Sequence, residues 1–277
     1  MQQTSEPRLR ARTFTCMGTV ISLTVSADAH KAPQAAADEL EAATAVVERL
    51  FTELDSIFSL YRPDSEASRL VRGELALPEA SGEMRARYEE AAEWRLLTEG
   101  AFTPERPDGA LDLSGIVKGH AIREAGMSLL ALGMANWCLN AGGDVLVGGS
   151  PNPGTDVPWR AGIVDPADRR TLLAGFPLGG AAPCSPVGKT ADGGTRVALA
   201  TSGSAERGDH IWSVTAGTAE FRQVSVAAVD VVTADVLATA IVAGGVPMLN
   251  RATAMWDIEA LAVRANGELL ATGGFRR

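Results

Sequence analysis

Between Pro33 and Phe58 apolar residues fall at Leu40, Ala43, Val47, Leu50, Leu54 and Ile57, three or four apart throughout. Only an α-helix gathers that spacing onto one side, so the segment reads as a long helix with a continuous apolar stripe that needs a second layer to cover it. The rest of the chain offers that layer. Thr19 to Val25 alternates as a half-buried strand does, and beyond Trp137 short β-type runs are separated by glycines: Trp137 to Leu139, Val145 to Val147, Trp159 to Val164, Val197 to Ala200 and Val224 to Val232. Further helices are expected from about Met84 to Glu99 with Gly100 as the left-handed stop, from about Lys118 to Leu132 closed by Gly133, and from about Ala234 to Ala243 with Thr233 as N-cap. Gly175 to Arg196 is rich in Gly, Pro and Ala with no usable period and reads as a long surface loop, while Ile258 to Ala271, with Asn266-Gly267 at its centre, reads as a hairpin with a primed turn. No internal repeat is visible. Helices and strands do not alternate as regular βα units, so the expected class is α+β with a largely antiparallel sheet packed by helices.

A length of 277 residues, with 46% hydrophobic and 21% charged, is enough for one large core, and the chain is taken as a single domain over residues 1–277. The balance of 25 basic against 34 acidic side chains, net −9, does not suit a general nucleic-acid binder, so any phosphate must be held locally. No apolar run reaches the length of a membrane span, and the polar N-terminus lacks a secretory signal, which makes the cytoplasm the expected location. Cys16, Cys138 and Cys184 are odd in number and form no CxxC pair, so they read as small buried hydrophobes.

Four segments combine glycine with charged or hydroxyl side chains. Asp112-Leu-Ser-Gly-Ile-Val-Lys-Gly119 stands at a helix entrance, where glycine lets backbone N–H groups approach a phosphate and Lys118 adds positive charge; an ordinary strand-to-helix turn has the same composition. In Asn140-Ala-Gly-Gly-Asp144 the glycines serve equally a tight hairpin or the close approach of a ligand. Ala200 to His210 packs three hydroxyls, both charge signs and a histidine into the end of a strand and a loop, and His210 is either a proton-transfer group or merely exposed. Asp235 and Thr239, four apart on a helix, share one face and are hard oxygen donors suited to Mg²⁺; Asp235 also suits a helix N-terminus with no metal at all.

Taken in order, these segments resemble the ApbE family, the FAD:protein FMN transferases. The resemblance begins at Met17-Gly18-Thr19 and includes Phe58-Ser-Leu-Tyr-Arg-Pro-Asp-Ser-Glu-Ala-Ser-Arg-Leu70, similar to the family's FS-x-Y-x-x-x-SE-x-S-x-L segment, and Gly100-Ala-Phe102. It spans roughly residues 14–245. It implies an ApbE-type, T-fold-like α+β domain that takes FAD and Mg²⁺, transfers FMN to a threonine or serine hydroxyl of a partner protein and releases AMP. By match to the family, Asp235 and Thr239 would ligate the metal with the Gly115 carbonyl. Met17, Tyr61, Ala101, Phe102, Asp112, Lys118, Gly142, Gly143, Ser202, Gly203 and Ile211 would contact FAD, and His210 would act as base beside Asp235 in catalysis.

Two departures from the family pattern keep other readings open. Ala101-Phe-Thr-Pro-Glu105 reaches Asp112 within a few residues, where the family carries a longer segment and an aspartate at the position of Thr103, and His210-Ile211-Trp212 lacks the family's Asp-Pro pair. A flavin-binding protein without catalysis, or hydrolysis of FAD to FMN and AMP, therefore stands beside the transferase.

Overall fold

The expected stripe forms helix α1, Pro33–Phe58, which Pro33 opens and whose buried line runs Ala36, Leu40, Ala43, Val47, Phe51, Leu54 and Phe58. Phe51 and Phe58 take its centre, and Leu50 and Ile57 flank it half-buried, because the two larger rings remove more apolar surface from water. The structure, a computed structural model, describes residues 8–27, 31–179, 195–203 and 220–276. His210, Ile211 and Cys184 lie outside the described residues.

The stripe is covered by an eight-stranded sheet in which every neighbouring pair is antiparallel. The sheet's strands are β1 Arg8–Cys16, β2 Thr19–Ala27, β3 Trp137–Ala141, β4 Asp144–Gly148, β7 Ala198–Gly203, β8 Phe221–Ala228, β9 Glu259–Arg264 and β10 Leu269–Ala271, paired in that order. Strands β5 Trp159–Val164 and β6 Leu172–Leu178 form a separate hairpin, docked by the Trp159 indole on the Gly148 carbonyl and by the Gln223 amide on the Val164 carbonyl. Phe14 of β1 meets Phe51 of α1 edge to face at 6.0 Å. The remaining helices are α2 Glu66–Val71, α3 Gly82–Leu97, α4 Ser114–Ala131 and α5 Val231–Met255. A hairpin, a helical crossing and a second hairpin occur twice, as β1β2–β3β4 around α1 to α4 and as β7β8–β9β10 around α5. This duplicated topology leaves no trace in the sequence. Within each hairpin the joined strand ends lie at one common end of the sheet; α4 brings its first turns to that end, at Asp144, whereas α5 starts from the opposite end, after Ala228, and runs toward it.

Several expectations are corrected. The run Val224 to Val232 is not one strand: β8 ends at Ala228, and Asp230, not Thr233, caps α5 by accepting the Thr233 N–H at 2.9 Å. A carboxylate next to the first free N–H groups is worth more than continued pairing. The helix also passes Ala243, breaking at Gly245 (φ 62°) and resuming at Val246, whose N–H the Glu220 carboxylate accepts. Helix α4 starts at Ser114, four residues before the expected Lys118, because Asp112 Oδ1 accepts the Ser114 N–H at 2.9 Å. At the end of α3 Gly100 (φ 84°) is left-handed as expected, but Glu99 (φ 54°) before it is left-handed too, and Arg251 secures it by pairing with Glu99 and donating to the Leu97 carbonyl. Gly175 to Leu178, expected as loop, belongs to β6. The β9–β10 turn is not primed: only Gly267 (φ 87°) is left-handed there, and the Arg264–Glu268 closure makes a three-residue loop. Strand β1 and helix α2 were not foreseen; α2 is tied down by Ser65 Oγ, which accepts the Ser68 N–H and donates to the Ser59 carbonyl, and by Glu66, which accepts the Ser81 N–H.

Among the described residues α5 alone is long and apolar enough to cross a membrane, and most of it is buried inside the fold between α4 and strands β7 and β8.

Candidate active site

Helix α4 is buried on nearly every side, so a lysine in its second turn must find anions there. Lys118 Nζ lies 2.5 Å from Asp144 Oδ2 and 3.6 Å from Asp235 Oδ1. Asp144 opens β4 and is 0% exposed; its Oδ1 accepts the Thr201 N–H at 3.0 Å, which ties the cluster to β7. Asp235, 1% exposed, comes from the second turn of α5. One turn on, Thr239 Oγ1 meets Ser202 Oγ at 2.9 Å, and the neighbouring Thr201 Oγ1 meets Ser225 Oγ at 2.8 Å. Among the described residues, two carboxylates face one ammonium in this buried place, an arrangement that suits a further cation.

Two features bring α4 and α5 close enough for this. Gly119 has no side chain where a Cβ would lie 3.0 Å from Val232 Cα and 3.4 Å from Asp235 Oδ2. Arg123 then clamps Asp230 with two hydrogen bonds, Nε to Oδ1 at 2.8 Å and Nη2 to Oδ2 at 2.6 Å. Burial pushes the Asp230 carboxyl up, but Arg123 together with the Thr233 N–H and hydroxyl outweighs it and holds the group below the usual carboxylate range. On the far side of α4, His120 Nε2 sits 2.8 Å from Glu90, which locks α3 in place; burial again works upward on Glu90, and His120, Arg87 and Arg123 hold it low.

The glycine pairs are turn residues. Gly142 (φ 62°) and Gly143 (φ 97°) join Ala141 to Asp144 as a two-residue primed turn, as Met17 (φ 49°) and Gly18 (φ 69°) join Cys16 to Thr19. The two turns are adjacent, with the Gly142 N–H on the Val20 carbonyl, and a Cβ on Gly142 would stand 2.5 Å from Thr19 Oγ1. The hairpin reading thus accounts for both glycines, and the turn also delivers Asp144 to Lys118.

Of the residues singled out in the sequence, Lys118, Ser202, Asp235 and Thr239 come together, with Gly142 and Gly143 beside them through Asp144. Gly203 follows at the end of β7. Gly115 lies in the first turn of α4, where the helical hydrogen-bond rule aims its carbonyl at Gly119, the residue that Asp235 faces. Phe102 is a buried floor under that turn, near enough that a Gly115 Cβ would be 3.1 Å from its ring, and Ala101 packs toward α5 at Gly244. Asp112 is engaged one residue before the N-cap Leu113 of α4, where its Oδ1 accepts the Ser114 N–H. Tyr61, beyond the end of α1, is 86% exposed and stands outside the buried cluster. The sequence reading missed Asp144, Thr201 and Ser225 as site residues; the available signal was an acidic residue at the head of the otherwise apolar run Val145-Leu-Val147. Asp235, Thr239 and the Gly115 carbonyl are hard oxygen donors of the kind Mg²⁺ takes when substrate phosphates supply the rest, so the residues present fit that ion.

Comparison with known proteins agrees with this architecture. The flavin transferase ApbE from Vibrio cholerae matches with a TM-score of 0.72 at 22% identity, over 98% of this chain and 99% of that one. The ApbE protein of Thermotoga maritima matches with a TM-score of 0.72 at 19% identity, over 97% and 98%. The Pseudomonas stutzeri flavinyl transferase ApbE in its apo form gives 0.70 at 18%, over 99% and 98%. No curated protein matches the sequence. The sequence model of the ApbE family matches residues 17–105 and 103–262, nearly the whole described chain, and the protein belongs to the ApbE family.

Proposed function

We propose that this protein is an FAD:protein FMN transferase, which moves FMN from FAD to a threonine or serine hydroxyl of a partner protein and releases AMP. The carrying observation is the buried Lys118–Asp144–Asp235 row with Thr239 one turn on, set in a family whose solved relatives are named flavin transferases. The acceptor oxygen forms a bond to the FMN phosphorus while the bond from phosphorus to the AMP oxygen breaks, the electron pair leaving with AMP. Asp235, Thr239 and the Gly115 carbonyl would hold Mg²⁺, which when bound supplies charge neutralisation on the pyrophosphate. Lys118 adds a fixed positive charge at the same place. Tyr61, exposed and aromatic, is suited to stack on a flavin or adenine ring. The acceptor proton goes to a base, for which our assignment is His210. We place the protein in the cytoplasm.

The short connection from Ala101 to Asp112, closed by a bridge between Glu105 and Leu111, favours one alternative, a flavin binder that does not transfer. Incubation with FAD and Mg²⁺, with and without an acceptor domain, separates them. AMP release together with a flavin adduct on the acceptor, both lost in Asp235→Ala and the adduct lost in His210→Gln, is the expected result. Flavin binding without AMP under any condition would leave only the binder, and AMP without adduct would mean hydrolysis.

A further inference from the structure

Asp144 is fully buried, belongs to no expected ligand set, and lies nearer the Lys118 ammonium than Asp235 does, at 2.5 Å against 3.6 Å. Its other oxygen is pinned by the Thr201 N–H, and its backbone is fixed by the primed turn that precedes it, which together hold the carboxylate on the β4 side of the site. Lys118 reaches both carboxylates from a helix whose position Arg123 and Asp230 lock. The ammonium lies between the two acids and nearer Asp144. We infer that Asp144 is a positioning residue of the cation site: it draws the Lys118 ammonium off Asp235, so that a divalent cation does not have to displace an ammonium in direct contact with its carboxylate ligand.

This inference rests on the metal role proposed for Asp235. Without the Asp144 charge, the Lys118 ammonium would close on Asp235 from 3.6 Å to a hydrogen-bonded contact of about 2.8 Å. At an effective dielectric of about 20 that step deepens the pair by roughly 1.3 kcal/mol, about a tenfold loss in cation affinity. Asn at position 144 keeps the shape and can still accept the Thr201 N–H, which limits the effect to charge.

The test is binding of Mn²⁺ to the full chain with FAD held saturating for each variant, so that any role of Lys118 in FAD affinity drops out, read by the loss of the free-ion paramagnetic signal, with circular dichroism to verify the fold. Asp144→Asn should raise the Kd for Mn²⁺ about tenfold, and adding Lys118→Met to it should bring the Kd back to within about threefold of the parent chain, which an ordinary loss of structure would not do. Lys118→Met alone, which tests the same idea if Asp144→Asn does not fold, should bind Mn²⁺ at least as tightly as the parent. An unchanged Kd in folded Asp144→Asn, no recovery in the double variant, or weaker binding in Lys118→Met would each overturn the inference. Failure of the unaltered protein to bind Mn²⁺ would instead sink the metal reading of Asp235 and Thr239, and the inference with it.

Discussion

Replacing Asp230 with Asn tests whether the α4–α5 clamp holds the site together. The substitution keeps an acceptor for the Thr233 N–H, so the helix cap survives, but it removes the charge that receives two hydrogen bonds from Arg123 at 2.8 and 2.6 Å. Hydrogen bonds to charged groups contribute about 1.5–3 kcal/mol, and with both side chains 30% exposed solvent recovers part of that, so a net loss of about 1.5–2.5 kcal/mol is expected. Asp230→Ala loses the cap as well and should cost roughly 1 kcal/mol more. For a chain of this size the Asn variant should melt about 4–8 °C lower. The measurement is urea unfolding followed by far-ultraviolet circular dichroism from pH 8 to pH 3. Because Arg123 and Thr233 hold the Asp230 carboxyl below its unfolded value, the stability that it contributes is fully present above the unfolded value near 4 and is lost as pH falls through the lower folded one. The gap between parent and Asn variant should therefore stay constant down to about pH 5 and begin to narrow below about pH 4. A gap under about 0.5 kcal/mol at neutral pH, or one that does not narrow between about pH 5 and pH 3, would refute the assignment of the clamp to this charge pair.

Three further outcomes follow from the geometry. Gly142→Ala forces a side chain into a left-handed position (φ 62°) and to 2.5 Å from Thr19 Oγ1, and should cost about 2 kcal/mol in urea unfolding, whereas a neutral result would mean that the turn readily rearranges. Glu99→Gly relieves a left-handed non-glycine residue (φ 54°) at about 1–2 kcal/mol and gives up an exposed ion pair to Arg251 worth about 0.2–1, so Tm should rise slightly; a fall would show that the ion pair dominates. Burial pushes the Cys138 thiol up to about 12, and in a Cys184→Ser background iodoacetamide at pH 8 should leave Cys138 unmodified until urea unfolds the chain, by peptide mass.

Much of the helical layer is legible in the sequence because the pattern is local. The stripe of α1 repeats over seven turns, and Gly133 closes α4 where expected. Elements fixed by distant partners are not. Strand β1 alternates arginine with small and apolar residues and has no apolar face of its own, so only its nine-residue pairing with β2 defines it. In Val224 to Val232 the apolar residues on either side of Asp230 fit a strand and a buried helix equally well, and that carboxylate, which caps Thr233 and meets Arg123, decides the boundary. The site divides along the same line. Asp235 and Thr239 are legible as a pair because helical spacing is local, whereas Asp144 acquires its role from Lys118, 26 residues earlier, and Thr201, 57 residues later. Yet Lys118, Asp144, Asp230 and Asp235 are each visible in the sequence as a charge set in apolar surroundings. No such charge is stable when buried alone, so each has to be answered by another. The sequence therefore announces that ion pairs must exist at the heart of this chain, and the antiparallel crossing of α4 and α5 decides that they are 118 with 144 and 235, and 123 with 230.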